Sequence, residues 1–359
     1  MKKKNAILTF QGAPNYGAFL QAYALQTAAS QFDPAIEIID YRAKFTKKHY
    51  DPYRIKNGYF KSLLRIILYS SKERKRNNVF ESYRLKYLNL TPEKVCTQVD
   101  LQNLCMNFTN IICGSDQIWN MTVTDGDLSY FLPFPLMETT KNSYAASMGN
   151  QEVEKVDEIK NYLLDFENIG VREKDAAERL QKVLPIPVTA TIDPTLLLSK
   201  QQWDDFAKEK VATNESYILV YTVKQPKNLI KEAVKLGKKK GLKVIQITER
   251  KKKNGIVSVQ NQSPCQFVSY FREASYVFTN SFHGSVFSLI YQKQFAIELD
   301  SLDGSRNNRT ESLYKDLGIQ LNFREELKDI DRQIDWKNIK EKLDKRREQS
   351  RLFLLEILA

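Results

Sequence analysis

The sequence predicts an α/β protein built from two Rossmann-like domains. At 359 residues, the chain is too long for one ordinary core and long enough for two. Short apolar segments typical of strands alternate with segments of helical periodicity, which favours mostly parallel sheets. This alternation begins again near Tyr217, so it runs through the chain twice. Two such domains most economically face each other across a cleft, with the ligand at the carboxyl ends of the strands.

The first domain is expected over residues 1–200. It opens with a β-α-β unit, in which strands at 6–10 and 36–41 flank a helix from about 17 to 30. Later strands of the same domain are expected near Asn110, Ser143, Ile169 and Val188. A helix is expected before Phe166.

Residues 42–95 differ from their surroundings in composition, because they are rich in basic and aromatic side chains. Their apolar spacing predicts two amphipathic helices, around 59–69 and 73–88. We interpret the segment as an insertion into the first domain. Its basic side chains can contact an anionic membrane surface electrostatically.

The second domain is expected over residues 215–335, with a final charged amphipathic helix over 336–359. The boundary falls in the polar stretch 199–216, where a helix around Trp203 connects the two halves. Strands are expected near Tyr217, Val244, Tyr276 and Phe295. Helices are expected near Leu229, Phe267 and Val286.

The charge balance favours anionic partners. Lys and Arg number 55 against 43 Asp and Glu, for a formal net charge of +12, which suits nucleic acid, anionic lipid or phosphorylated substrates. The sequence has neither zinc-finger spacing nor an aromatic RNA-binding motif, so we expect no nucleic-acid partner. Hydrophobic residues at 42% and charged residues at 27% indicate a soluble globular protein.

The cysteines and histidines predict neither a metal site nor a disulfide framework. The four cysteines are scattered without CxxC spacing, and there are only two histidines, His49 and His283. Scattered thiols suit a reducing cytoplasm. No run approaches the roughly 20 apolar residues of a membrane span. We therefore expect a cytoplasmic protein that can contact the inner face of the membrane peripherally.

The strongest candidate for chemistry is His283, in the run TNSFHGSVFSL. It follows an apolar strand and lies in the first turn of an apolar helix, where free N–H groups and the helix dipole bind anions. A histidine there can exchange protons near neutral pH. Gly284 removes a side chain where a ligand would approach the backbone, and Ser281 flanks it. The alternative is a capping histidine beside a glycine needed for packing.

The first strand-to-helix turn, GAPNYGAFLQ, lacks the spacing of dinucleotide and phosphate-loop fingerprints. Asn15, Tyr16 and Gly17 could offer donors to an acceptor sugar or a phosphate. They could equally form only a tight turn.

Two further strand ends carry polar side chains. Asp116 precedes Trp119 in GSDQIWN, and a carboxylate beside an aromatic face is typical of sugar sites. A helix N-cap is the alternative for Asp116. Arg172 follows the strand in IGVREKD, and its guanidinium fork suits a carboxylate or phosphate, or else a surface ion pair. Arg306 and Arg309 follow the strand QFAIEL and could clamp an anion on the side of His283.

Several segments together resemble the polysaccharide pyruvyl transferase family. The resemblance runs in the same order from about residue 6 to 320. The segments are NYGAFLQAYALQ, GSDQIWN, SYAASMG, VREKD, DPTLLL and TNSFHG, followed by SRNNRTESLYKDLG.

This resemblance implies a glycosyltransferase-B-like (GT-B-like) pair of domains that transfers the enolpyruvyl unit of phosphoenolpyruvate to a sugar as a pyruvate ketal. Phosphoenolpyruvate is then a co-substrate, and no cofactor is expected. The acceptor is a sugar of a surface polysaccharide or of its lipid-linked precursor. Arg172 matches the family's basic substrate-binding position, His283 its motif histidine and Asp116 its acidic position. The N-terminal domain is then the acceptor side and the C-terminal domain the phosphoenolpyruvate side.

One departure concerns the donor. Many family members carry arginine two residues before the histidine, whereas this chain has Ser281. Arg306 or Arg309 would then supply the missing cation, or this subgroup uses another donor or acceptor. Two alternative functions stay open: a nucleotide-sugar-dependent glycosyltransferase on the same fold, and a noncatalytic polysaccharide-binding protein.

Overall fold

The computed structural model describes residues 4–54, 59–149, 156–211, 213–223, 226, 228–248, 255–298, 308–319 and 330–359. Contacts divide the chain into two compact units. Unit 1 comprises Met1–Leu197 with Arg346–Ala359, and unit 2 comprises Leu198–Lys345.

Unit 1 contains a seven-stranded sheet whose paired strands are all parallel, in the order β3-β2-β1-β4-β5-β6-β7. The strands are β1 (Asn5–Leu8), β2 (Glu37–Tyr41), β3 (Leu90–Val95), β4 (Asn110–Cys113), β5 (Thr140–Ala146), β6 (Phe166–Val171) and β7 (Val188–Ala190). The α-helices are α1 (Tyr16–Ala29), α2 (Lys44–Tyr50), α3 (Tyr59–Tyr87), α4 (Gln98–Cys105), α5 (Val156–Leu163) and α6 (Lys174–Gln181). Short 3-10 helices lie at Leu128–Phe131 and Pro194–Leu196.

Unit 2 contains a five-stranded parallel sheet in the order β10-β9-β8-β11-β12. Its strands are β8 (Tyr217–Tyr221), β9 (Lys243–Ile247), β10 (Val257–Val259), β11 (Tyr276–Thr279) and β12 (Gln294–Ile297). Its helices are α7 (Lys200–Phe206), α8 (Leu229–Lys240), α9 (Pro264–Glu273), α10 (Phe282–Ile290), α11 (Asn308–Asp316) and the first part of α12 (Trp336–Leu358).

Both units have the alternation that the sequence predicts. Every residue of β1, β4 and β8 is buried, which explains why these strands are predominantly apolar in sequence. In both sheets the strand order reverses at the first strand, so a crevice for ligands is expected at the carboxyl ends of β1 and β4, and of β8 and β11. The predicted α/β class with two Rossmann-like units is confirmed.

The segment 42–95 differs from the prediction in two respects. One helix of 29 residues, α3, replaces the two expected helices, because 59–87 contains no glycine or proline to interrupt it. The segment is also no separate insertion. Strand β3 pairs in parallel with β2, so α2 and α3 form the crossover that joins these two strands.

The helix around Trp203 belongs to unit 2. The Trp203 ring packs edge-on against Phe287 of α10, with ring centroids 5.0 Å apart. The contacts place the start of the second unit at Leu198, so the polar stretch 199–216 belongs to that unit.

The last turns of α12 belong to unit 1. The side-chain amide of Asn110 donates a 2.7 Å hydrogen bond to the carbonyl of Ile357, and the Phe353 ring lies 6.4 Å from that of Tyr144. Across the described residues, none of the helices combines the length and the apolar character needed to cross a membrane.

Candidate functional site

In unit 2, the turn from β11 into α10 is closed by polar contacts. Ser281 is the N-cap of α10, and its hydroxyl accepts a 3.4 Å hydrogen bond from the backbone N–H of Gly284. The N–H of Ser281 in turn donates to the Thr279 hydroxyl at 3.1 Å. Ser281 therefore acts as a helix cap, and its hydroxyl is directed at the backbone of the first turn of α10.

Gly284 is required by packing. A Cβ added at this position would overlap the Thr279 side chain at the end of β11. The expectation that Gly284 opens space for a ligand is therefore wrong, because a protein side chain already fills that space. The close approach fixes the first turn of α10 on the strand.

His283 occupies the second position of α10 and is 8% exposed. Its imidazole packs edge-on against the Phe282 ring, with centroids 5.2 Å apart. The guanidinium of Arg309, on α11, lies 5.6 Å from the centre of the same ring. The structure thus gathers an imidazole, a guanidinium and the positive end of a helix at the carboxyl edge of β11. Arg306 lies outside the described residues.

A second polar cluster lies in unit 1, where the chain leaves neighbouring strands of the parallel sheet at their carboxyl ends. Its members are Asp116, Ser147, Arg172, Glu173 and Asp193. Arg172 is its centre. Nη1 donates to Oδ2 of Asp193 at 2.8 Å, Nε donates to Oε1 of Glu173 at 3.3 Å, and Nη2 lies 3.8 Å from Oδ1 of Asp116.

This environment changes the interpretation of Arg172. Burial lowers the pKa of the guanidinium, but Glu173, Asp193 and Asp116 outweigh it and raise the pKa above its usual value. Three carboxylates surround one cation, so the cluster does not attract a further anion. Both predicted roles of Arg172, a surface ion pair and a ligand for a substrate anion, disagree with this environment, because its guanidinium already binds buried protein carboxylates.

Asp116 is the member of this cluster that reaches solvent, with a side chain 15% exposed. Its backbone has a φ of 71°, and its carbonyl accepts a 2.9 Å hydrogen bond from the N–H of Ser147. None of the helices within the described residues begins at Asp116, so the N-cap alternative does not hold. The backbone fixes this carboxylate at the end of β4, with Arg172 behind it.

Trp119 does not present a face to a sugar. The ring is fully buried, stacks on Phe131 at 5.5 Å and donates its indole N–H to the carbonyl of Tyr130 at 3.0 Å. A tryptophan whose N–H finds a backbone acceptor is stable in a core. The prediction for Trp119 is therefore wrong.

The first turn of unit 1 is mainly structural. The Asn15 side chain caps α1 by accepting from the N–H of Ala18 at 3.3 Å. Tyr16 is 4% exposed and packs on the Phe80 ring of α3, and Gly17 is buried. Of the three, only Asn15 stays partly exposed, at the carboxyl end of β1 beside β4.

Sequence reasoning missed Tyr50 and Arg76, which lie near Asn15 and Asp116. Burial raises the pKa of Tyr50, the Arg76 guanidinium and a hydrogen bond with the Asn15 side chain lower it, and Asp116 raises it again. One face of α3 carries Arg76, Phe80 and Arg84 at a spacing of four residues. This spacing could have indicated that the face is directed towards the sheet. No comparable signal marks Tyr50.

A partly buried ion network joins α3 to the strand ends. Arg84 is 2% exposed and contacts Asp40 at 3.1 Å and Glu81 at 2.7 Å. Arg42 contacts the same two carboxylates at 2.6 and 2.9 Å. Two cations and two carboxylates balance, so this network holds α3 in place and leaves no net charge for a ligand.

Comparisons with solved structures support the fold. UDP-N-acetylglucosamine 2-epimerase from Rickettsia bellii is 12% identical, with a TM-score of 0.50 over 99% of this chain and 97% of the other. S. aureus MnaA, in a co-structure with UDP, is 12% identical, with a TM-score of 0.52 over 96% of this chain and 91% of the other. At such identities the likeness shows the fold alone, which is GT-B-like.

The family comparison is more specific. Curated proteins give no significant match to the chain. The model of the family "Polysaccharide pyruvyl transferase" matches residues 15–297, which include both Asp116 and His283. The chain therefore belongs to the polysaccharide pyruvyl transferase family.

Proposed function

We propose that this protein transfers pyruvate from phosphoenolpyruvate to a sugar of a surface polysaccharide, or of its lipid-linked precursor, and forms a pyruvate ketal. The family membership supports pyruvyl transfer to a polysaccharide. The observation that carries the finer proposal is the grouping of His283 and Arg309 around Phe282, at the N-terminus of α10.

The donor is assigned to unit 2. Phosphoenolpyruvate carries a phosphate and a carboxylate, and the N-terminus of α10 can hold one of these anions through backbone N–H groups and the helix dipole. Arg309 can hold the other through its guanidinium fork. In this proposal Arg309 supplies the cation that many family members carry two residues before the histidine.

The acceptor is assigned to unit 1, where Asp116 is the candidate base for a sugar hydroxyl. Arg172 is a positioning residue in this proposal, because it contacts Asp116 from the buried side and is enclosed by Glu173 and Asp193. This replaces the expected role of Arg172 as a ligand of the donor.

The proposed reaction balances without a further reactant. His283 donates a proton to the methylene carbon of phosphoenolpyruvate as a sugar oxygen bonds to the central carbon, and Asp116 takes the hydroxyl proton. The bond from the central carbon to the phosphate oxygen breaks, and a neighbouring hydroxyl then closes the ketal. The two sugar hydroxyls lose two protons in total. The methylene carbon gains one proton as it becomes a methyl group, and the released inorganic phosphate gains the other.

The test is to incubate the protein with phosphoenolpyruvate and a panel of lipid-linked and synthetic glycosides, and to follow product mass and phosphate release. Ketal formation and equal phosphate release are expected, and both should fall at least about a hundredfold in His283→Ala, the contribution of one general acid. A rate that saturates with the concentration of a nucleotide sugar and does not depend on phosphoenolpyruvate would identify a glycosyltransferase. Binding of the polysaccharide without turnover of either donor would identify a noncatalytic protein.

The proposal includes a peripheral contact of the basic segment with an anionic membrane. On α3, Ile67 and Leu68 are 70% and 56% exposed, and the basic side chains of Arg74 and Lys75 are exposed nearby. Vesicles containing phosphatidylglycerol should co-sediment the protein, whereas vesicles of phosphatidylcholine alone should not. Equal sedimentation with both, or with neither, would contradict this contact.

A further inference from the structure

Two partly exposed polar side chains follow the strands at which the strand order of unit 1 reverses, and two more act electrostatically at the same place. Asn15 follows β1, Asp116 follows β4, Tyr50 ends α2 and Arg76 lies on α3. This reversal is the position at which doubly wound sheets bind their ligands. The site therefore has the right location for the acceptor.

Contacts among the supporting residues fix this arrangement. The Asn77 side chain donates a 3.2 Å hydrogen bond to the carbonyl of Tyr50, which ties the end of α2 to α3. The Arg76 guanidinium lies 5.7 Å from the centre of the Phe80 ring, and that ring packs on Tyr16 beside Asn15. Arg76 is thereby held above the first turn of α1.

Arg76 differs from the other arginines of this region. Arg42 and Arg84 pair with Asp40 and Glu81, and Arg54 pairs with Glu73 at 3.3 Å. The Nε atoms of both Arg54 and Arg76 are buried, but within the described ranges only Arg54 pairs with a carboxylate, that of Glu73, and no carboxylate contacts the guanidinium of Arg76. A guanidinium that no protein carboxylate neutralises is available to an anionic group of a ligand.

Tyr50 lies close to both charges of the site. Burial raises the pKa of its phenol, so it stays protonated near neutral pH and can donate a hydrogen bond. The Arg76 guanidinium lowers this pKa and the Asp116 carboxylate raises it, so both charges act on this hydroxyl, as does the Asn15 side chain. An acceptor bound beside this hydroxyl lies within the electrostatic reach of one carboxylate and one guanidinium.

We propose that Arg76 and Tyr50 bind an oxyanion substituent of the acceptor saccharide, a phosphate ester or a carboxylate, and so turn its hydroxyls towards Asp116. The inference names the chemistry of the acceptor and rests on the proposed function for the role of Asp116. A guanidinium beside a carboxylate orients the ligand in one direction only, because the reverse orientation would bring two anions together. Arg76 and Tyr50 are thus specificity-determining residues.

The test measures binding without phosphoenolpyruvate, so it does not depend on turnover. The affinities of glucose, galactose and mannose 1-phosphates, and of the matching uronic acids, are compared with those of the methyl glycosides by calorimetry. At least one anionic sugar should bind about tenfold more tightly than its methyl glycoside, the factor that one charge-assisted hydrogen bond supplies. The preference for phosphate or carboxylate identifies the substituent.

Variants then assign the effect to Arg76. Arg76→Gln should remove the preference, Arg76→Lys should retain part of it, and Tyr50→Phe should weaken binding of the same sugar. Lys182→Gln is the control, because it removes one exposed charge from unit 1 at the end of α6. The proposal is overturned if no anionic sugar is preferred, or if Lys182→Gln lowers the affinity as much as Arg76→Gln does.

The proposed reaction and the proposed role of Arg76 can be contradicted independently of each other. Ketal formation on neutral sugars, with no preference for an anion, would overturn only the role of Arg76. A preference for anionic sugars that depends on Arg76, without any use of phosphoenolpyruvate, would leave this inference standing and overturn the proposed reaction.

Discussion

Arg172 donates a 2.8 Å hydrogen bond to the carboxylate of Asp193, and both side chains are buried. Twenty-one residues separate the two in sequence, yet they follow adjacent strands, β6 and β7, of one parallel sheet. Glu173 and Asp116 complete the enclosure of the guanidinium. The stability of unit 1 and the position of the candidate base therefore depend on the same cation.

Replacement of Arg172 by methionine should lower the free energy of unfolding by about 3–5 kcal/mol, the cost of leaving buried charges without their partner. Urea denaturation monitored by tryptophan fluorescence measures it. Lys340→Met is the control, because Lys340 pairs with Asp344 at 2.6 Å on an exposed face of α12, and such a pair contributes about 0.3–0.5 kcal/mol. If both variants lose the same free energy of unfolding, Arg172 is not the centre of a buried charge cluster.

Gly284→Ala should destabilise the protein by about 1–3 kcal/mol, because the added methyl group overlaps the Thr279 side chain. Thr279→Ala alone also costs stability, since the Thr279 hydroxyl donates to the carbonyl of Tyr221 at 2.8 Å. In the double variant the overlaps with the Thr279 Oγ1 and Cγ2 atoms disappear and only the Cβ atom, 2.9 Å away, stays close, so the loss should be smaller than the sum of the single losses. Additive losses would mean that the glycine serves another purpose.

Arg309→Gln should raise the KM for phosphoenolpyruvate about tenfold or more, the effect of losing one charge-assisted contact, and leave the KM for the acceptor unchanged. The reason is the position of this guanidinium over Phe282, next to His283. Lys315→Gln, at an exposed position on the same helix, is the control and should change neither value. If only the KM for the acceptor rises, Arg309 binds the acceptor and not phosphoenolpyruvate, which would contradict the proposal.

Lys293→Met should stabilise the protein at pH 7 and have a smaller effect towards pH 10. Burial lowers the pKa of Lys293, the charge of Lys200 lowers it further, and Glu273 raises it. Because the folded-state pKa lies below the unfolded value, the unfolded chain binds more protons between the two, and wild-type stability rises with pH there. Urea denaturation of both proteins at pH 7 and pH 10 measures the difference. A stability difference that does not depend on pH would contradict the shift.

The fold could be predicted because burial of parallel strands leaves a direct signal in the sequence. Continuous apolar runs such as YILVY in β8 are buried along their whole length. The continuity of α3 could not be predicted as securely, since Ser70 and Ser71 with the charged run after them resemble a break between helices. No glycine or proline is present to make that break.

The site was predictable only in part. The position of His283 in the first turn of α10 could be predicted because this helix follows β11 directly in sequence, which is local information. The partners of Arg172 were not found, because Asp116 and Asp193 join it only through strand order. Trp119 was misinterpreted because sequence reveals an aromatic ring but not the Tyr130 carbonyl that makes its burial favourable.

The most direct test of the central claim is the reaction in D2O with phosphoenolpyruvate and an accepted saccharide. If a general acid protonates the methylene carbon, each ketal should carry one deuterium in its methyl group, and one inorganic phosphate should be released for each ketal formed. His283→Ala should form both products at least about a hundredfold more slowly. A methyl group without deuterium, or glycosidic product made from a nucleotide sugar while phosphoenolpyruvate is untouched, would contradict the proposed reaction.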